Sequence, residues 1–92
     1  MINENYRLVT KLRRSSKMHE ILTIIAMSKI PIDSMIIKVK IGIWQSNIIR
    51  VLNELSKIGA IDEVTKEKRG RMYVATDKGK WALKIIEELS PS

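Results

Sequence analysis

Ninety-two residues, no cysteine and a formal net charge of +7 describe one small basic domain. This length allows one modest core but not a deep catalytic cleft, and the missing cysteines exclude disulfides, thiolate nucleophiles and cysteine zinc sites. The charge favours a polyanionic partner, either nucleic acid or an anionic membrane surface. Because the N-terminus lacks an apolar signal segment and no apolar run can span a membrane, we expect a soluble cytoplasmic protein.

The chain begins with a basic segment, residues 1–16, which is followed by a predicted helix at residues 17–29. The apolar spacing of the first segment fits a helix and, in part, a strand, and we favour the helix. The second segment has apolar residues at intervals of three and four, which is typical of a helix packed on a core. Ser15 or Ser16 is expected to cap this helix, and Pro31 is expected to lie beyond its end, in a short extended link.

A helix-turn-helix is predicted to follow the link. The first helix runs from about residue 34 to residue 40, and Asp33 and Ser34 are both residue types that cap such a helix. Gly42 forms the turn, since glycine adopts a positive φ without strain, and a second helix covers residues 44–57. Gly59 is expected to end that second helix.

Two strands and a last helix complete the predicted fold. The strands cover residues 60–65 and 71–76, joined by a basic turn that contains Gly70. Asp77 is expected to cap a helix that ends near Leu89. The predicted fold class is therefore α+β, mainly α: a winged helix-turn-helix with a two-stranded β-hairpin wing and a C-terminal helix. Its parts are the basic N-terminal segment 1–16, the three-helix core 17–59, the wing 60–76 and the C-terminal helix 77–90.

Two stretches of the sequence resemble winged-helix DNA-binding transcription regulators. The first, Gly-Ile-Trp-Gln-Ser-Asn-Ile-Ile-Arg-Val-Leu-Asn-Glu-Leu from residue 42, is similar to their recognition-helix region. The second has a threonine at 76 and a glycine at 79, and resembles the return strand of the wing and the start of the last helix. The resemblance covers residues 17–89 and is to MarR-like and small archaeal or archaeal-virus regulators. Trp44 departs from it, because such proteins usually carry Ser or Thr there.

The predicted recognition helix, residues 44–57, is expected to lie in the major groove of double-stranded DNA. Side chains near the N-terminus of such a helix reach base edges. Asn and Gln pair with adenine, Arg pairs with guanine, and an aliphatic side chain can meet the thymine methyl group. The base-reading candidates are Gln45, Ser46, Asn47, Ile49 and Arg50. The alternative is that Gln45 and Ser46 only cap the first turn.

Further side chains are expected to contact the DNA backbone or the minor groove. Cations clustered at a hairpin tip repel one another, and contact with phosphate or a narrow minor groove relieves that repulsion. The alternative is a solvated turn that aids solubility. Trp44 either packs back on the short helix near Met35 and Ile36, which we favour, or contacts sugar–phosphate or a thymine methyl. For Asn53, DNA contact and a solvent-exposed position without a function are equally favoured. The candidates are Lys38, Lys40, Trp44, Asn53, Lys66, Lys68, Arg69 and Arg71.

The C-terminal helix is apolar over a wider arc than one core-facing side needs. Either the N-terminal segment or a second subunit covers the excess, and we favour a homodimer on a pseudo-palindromic site. The candidate interface residues are Tyr6, Trp81, Ile85 and Leu89.

The sequence has no catalytic set or metal-ligand spacing, so we expect no enzyme, cofactor or metal. The competing hypothesis is a winged-helix module for protein–protein assembly in transcription or repair machinery.

Overall fold

The structure is a computed structural model, and it describes residues 4–66 and 70–89. The helices are α1 (Glu4–Arg14), α2 (Ser16–Met27), α3 (Ser34–Ile41), α4 (Gln45–Lys57) and α5 (Asp77–Leu89). The strands β1 (Ile61–Lys66) and β2 (Gly70–Ala75) lie between α4 and α5 and form an antiparallel hairpin. This order of elements is that of a winged helix-turn-helix.

The core lies where α1, α2, α4 and the hairpin meet. In α2 and α4 the core residues recur at intervals of three and four, as the sequence predicts, whereas α3 buries only Ile37. In α4 this spacing places Ile48, Leu52 and Leu55 on one stripe, and all three are fully buried. The other large side chains with the least exposure are Leu8, Leu12, Ile21, Leu22, Ile37 and Ile61.

The described part of the basic N-terminal segment is helical from Glu4 to Arg14, which was the favoured alternative. Its apolar side, Leu8, Val9 and Leu12, is buried on the rest of the fold. The Ser15 side chain then separates α1 from α2, because its hydroxyl oxygen accepts a hydrogen bond from the Met18 N–H (3.2 Å) and caps α2.

The two helices of the helix-turn-helix begin differently. An Asp33 carboxylate oxygen accepts from the Ile36 N–H (3.0 Å) and caps α3, as predicted. Gly42 has a φ of 76° and ends α3 in the left-handed region, which glycine adopts without strain. Trp44 is the residue before α4 and makes no side-chain cap, so α4 begins one residue later than predicted.

The link before α3 is tied to the hairpin. Ile32 and Tyr73 form an isolated β-bridge with two backbone hydrogen bonds, of 3.2 and 2.8 Å. Tyr73 is buried and stands opposite Glu63 in the hairpin register. The start of the helix-turn-helix is therefore fixed to the wing through β2.

A junction of hydrogen bonds holds α4, the hairpin and α5 together. The Thr76 hydroxyl donates to the Gly59 carbonyl (2.6 Å) and accepts from the Gly79 N–H (3.1 Å). Thr76, not Asp77, therefore caps α5, and the predicted cap was wrong by one residue. Threonine takes this role because its hydroxyl can satisfy a helix N–H while also donating to a carbonyl. Ahead of it, Gly59 ends α4 with a φ of 85°, as predicted.

Candidate nucleic-acid interface

The first half of α4 presents polar and cationic side chains to solvent. Ser46, Asn47 and Arg50 are exposed, because the burial of Ile48 and Leu52 turns this side of the helix outward. The first turn carries no acidic residue, so nothing there offsets the positive end of the helix dipole. A helix end with a partial positive charge and exposed polar side chains can bind a phosphate or contact base edges.

Two further predicted contacts, Ile49 and Asn53, are also exposed on this side of α4. The side chain of Gln45 has a different position. Its amide Nε2 donates to the Ser34 hydroxyl (2.9 Å), a half-buried bond between the N-terminal ends of α3 and α4. Gln45 therefore braces the helix-turn-helix, and it can reach a base only by giving up this bond.

Trp44 lies directly before α4 and exposes 78% of its surface. The favoured prediction, that it packs on α3, was wrong. The ring only borders an open groove that Met35 and Val39 also line. A large aromatic side chain is thus presented to solvent at the end of α4 that carries the base-reading candidates.

The two predicted lysines of α3 lie in its last turn. Lys40 is exposed and Lys38 is partly covered. Cations in the last turn of a helix stabilise it by complementing the negative end of its dipole. Both lysines remain accessible to a phosphate while they serve the helix in this way.

The wing carries one described cation among the predicted contacts. Arg71 lies on β2, and its Nε is 3.1 Å from a carboxylate oxygen of Glu63 on β1. The register places these residues diagonally across the hairpin, within reach of long side chains. This ion pair could not be predicted from the sequence, because only the strand register reveals it. Lys68, Arg69 and the side chain of Lys66 lie outside the described residues.

The predicted dimer residues lie on neighbouring sides of α1 and α5. The rings of Tyr6 and Trp81 meet edge to face within one chain, with centroids 6.1 Å apart. The N-terminal helix thus covers part of the apolar arc of α5, which was the alternative to a second subunit. Tyr6 and Leu89 remain 59% and 58% exposed and line a shallow groove with Ile85.

A second basic surface lies near the C-terminal end of α4. Arg7, Lys11 and Lys57 line a groove there together with Glu54 and Ile58. The sequence showed the basic character of α1 but not its proximity to α4. At about 1.5 Å of rise per residue, Lys57 in this groove lies about 10 Å along α4 from Arg50 and about 18 Å from Gln45.

Within residues 4–66 and 70–89, no group of three or more His, Asp or Glu side chains is arranged to hold a metal ion. None of the described helices combines the length and the hydropathy that crossing a membrane requires.

The fold is similar to that of TubR. One solved structure, TubR bound to 24 bp of tubC from Bacillus thuringiensis serovar israelensis pBtoxis, matches with a TM-score of 0.80 and 14% identity over 98% of each chain. A type III plasmid segregation TubR matches with a TM-score of 0.79 and 14% identity, covering 100% of this chain and 92% of the other. A mutant of the type III plasmid segregation TubR gives a TM-score of 0.76 at 14% identity, over 96% of this chain and 93% of the other.

The likeness to TubR establishes the fold and confirms the predicted winged helix. No protein-family model matches the sequence, and no curated protein is significantly similar to it. The narrower resemblance to MarR-like or archaeal regulators stays a prediction.

Proposed function

We propose that this protein binds double-stranded DNA in a sequence-specific manner and regulates transcription. The observation that carries the proposal is the first half of α4, where Ser46, Asn47 and Arg50 project from a helix end of positive dipole without an acidic neighbour. The net charge of +7 supplies the long-range attraction to a polyanion. The solved TubR bound to tubC has the same fold and lends support by analogy.

In the proposed complex, the N-terminal end of α4 enters the major groove, which is about 12 Å wide and admits one helix. Asn47 pairs with adenine and Arg50 with guanine, while Ile49 meets a thymine methyl. Trp44 and the α3 lysines lie against the sugar–phosphate backbone. The basic part of the wing, residues 64–74, follows the backbone or enters the minor groove with its cations.

Two copies are proposed to bind one pseudo-palindromic site. The predicted contact uses Tyr6, Trp81, Ile85 and Leu89 on the α1–α5 side. The exposure of Tyr6 and Leu89 is consistent with this contact, although Trp81 already meets Tyr6 within the chain.

A second candidate role is DNA segregation. The matches to type III plasmid segregation TubR span nearly the whole chain, which favours this role over an unrelated use of the fold. Both roles need the same DNA-binding surface, and they differ in outcome. Deleting a regulator changes transcript levels near its site, whereas deleting a segregation protein causes loss of the DNA that carries the site.

The first test is fluorescence anisotropy of a labelled random-sequence duplex across a salt series. We expect nonspecific dissociation constants of about 10⁻⁴–10⁻⁶ M that weaken steeply with salt. Lys68→Ala with Arg69→Ala should flatten the slope of log K against log salt by about 0.9 per lost phosphate contact, whereas Arg50→Ala should chiefly weaken binding to a specific site. Lys84→Ala, an exposed cation on α5, serves as the control and should leave both affinity and slope nearly unchanged.

Once a specific site has been selected from a random pool, Arg50→Ala should cost about 1–3 kcal/mol of binding free energy there. Absence of binding at low salt would contradict the proposal and favour the protein–protein module instead. Equal losses for Arg50→Ala and Lys84→Ala would show that only overall charge matters and would contradict the role given to α4.

A further inference from the structure

Gln45 is less exposed than the residues that follow it on α4. Ser46 and Asn47 are exposed, whereas Gln45, the first residue of the helix, is half-buried. Its amide Nε2 donates to the hydroxyl of Ser34, 2.9 Å away, and Ser34 is the first residue of α3. This hydrogen bond therefore joins the N-terminal ends of the two helices of the helix-turn-helix.

The short side chain of Ser34 determines where the Gln45 amide lies. A serine hydroxyl stays close to its own backbone, so the amide that bonds it is drawn back against the start of α3. A side chain that reads a base must instead extend into the major groove, where the base edges lie. Gln45 can therefore bond Ser34 or extend to a base, and each position excludes the other.

Extension to adenine exchanges one hydrogen bond for two. A glutamine amide accepts from the N6 amino group of adenine and donates to its N7. In the major groove, guanine presents two acceptors, cytosine a donor and thymine an acceptor, so none of them offers this pair of groups. Release of Gln45 from Ser34 is therefore favourable opposite adenine and gains little opposite the other bases.

We propose that Ser34 competes with adenine for the Gln45 amide and thereby determines how strongly α4 selects adenine at one position of its site. The inference rests on the proposed DNA binding, and it adds Ser34 as a residue that sets specificity without contacting a base. In the free protein and on nonspecific DNA, the Ser34–Gln45 bond stays closed. Each specific complex must break this bond, which lowers the affinity that the adenine contact provides.

The test is fluorescence anisotropy of the full chain on the specific site selected from a random pool, with each adenine–thymine pair replaced in turn. Gln45→Ala identifies the position that Gln45 reads, because replacing that pair weakens binding by the wild type but not by this variant. If no position behaves in this way, Gln45 reads no base and the inference is wrong.

Ser34→Ala removes the competing hydroxyl and should tighten binding to the selected site by about two- to tenfold, the contribution of one hydrogen bond. Binding to a random-sequence duplex should stay the same, because it depends on phosphate contacts. Alanine is a good helix former and the Asp33 cap remains, so α3 is retained. Ser34→Thr is the matched control: it keeps the hydroxyl and should bind both duplexes as the wild type does.

The double variant separates competition from a purely structural role of Ser34. In a Gln45→Ala background, Ser34→Ala should leave the affinity for the selected site unchanged, because no amide is left to release. A change in this background as large as that in the wild type would overturn the inference.

The inference would also be overturned if Ser34→Ala left binding to the selected site unchanged or weakened it. Weaker binding would make Ser34 a support for Gln45 rather than a competitor of adenine. In both cases the proposed function stands if Arg50→Ala still lowers the affinity for the selected site. A chain that binds no duplex at low salt would overturn the inference and the proposed function together.

Discussion

Gly79 lies where the backbones of two elements come closest. It is buried in the first turn of α5, and a Cβ at this position would lie well inside 3.0 Å of the Ala60 carbonyl oxygen. Real Cβ atoms essentially never approach so closely, and the obstacle is backbone rather than a flexible side chain. Packing against the Ala60 backbone, and not the value of φ, therefore requires a glycine at position 79.

We expect Gly79→Ala to lower the free energy of unfolding by about 1–3 kcal/mol, since the clash forces α5 away from β1. In an unobstructed helix the same change raises stability by up to about 1 kcal/mol. Urea unfolding followed by circular dichroism measures the difference. Gly42→Ala is the control, because it meets no atom within 4 Å and strains only φ, at a cost of about 1–2 kcal/mol. A Gly79→Ala protein as stable as the wild type would contradict the tight junction.

Single residues also show where sequence patterns stop being informative. The glycine conformations at 42 and 59 were predictable, because helix ends require left-handed residues and glycine adopts them freely. The exposure of Trp44 was not, since periodicity assigns a side of a helix and Trp44 lies before the helix begins. The bond between Gln45 and Ser34 was equally hidden, because it depends on how α3 and α4 cross.

At the scale of elements, the hairpin brings opposite charges together on the wing. Glu63 and Arg71 are both exposed, so their ion pair contributes little to stability. Its effect is on the surface charge, because the carboxylate offsets one of the cations assigned to DNA contact. The two strands were predicted within a residue of their ends, but this pairing required the register.

Glu63→Gln should therefore tighten nonspecific DNA binding by about two- to fivefold at low salt and steepen its salt dependence, because Arg71 is released and a negative charge is lost. Anisotropy with a random-sequence duplex measures both quantities. Asp62→Asn removes the same charge from the neighbouring position, whose side chain points to the other face of the hairpin. If both variants tightened binding equally, the wing face that carries Arg71 would have no special part in DNA contact.

The N-terminal helix shows what the packing of elements adds to a sequence pattern. Its helical form was predicted from spacing, although the spacing also fitted a strand in part. Its position against α5 was one of two alternatives. The sequence shows that the apolar arc of α5 must be covered, but it does not show whether α1 or a second subunit covers it. The contact of Tyr6 with Trp81 shows that α1 provides part of that cover.

For the whole molecule, the order of elements and the core were predictable from local signals: caps, helix-ending glycines and apolar periodicity. The basic groove between α1 and α4 was not, since it combines residues that only the tertiary fold brings together. The wing tip, with Lys68 and Arg69, lies outside the described residues, so its part in the proposed interface rests on the sequence alone.

DNA is proposed to lie against the N-terminal end of α4, and Trp44 is placed to report on this contact. Trp81→Phe leaves Trp44 as the sole tryptophan and preserves an aromatic ring beside Tyr6. We would measure acrylamide quenching of its fluorescence with and without duplex DNA at saturating concentration. The exposed indole should be readily quenched in the free protein and clearly shielded in the complex, whereas Trp81 in a Trp44→Phe protein should show little change. Quenching of Trp44 that stays the same while anisotropy reports full binding would contradict the account, because the DNA would then lie on another surface.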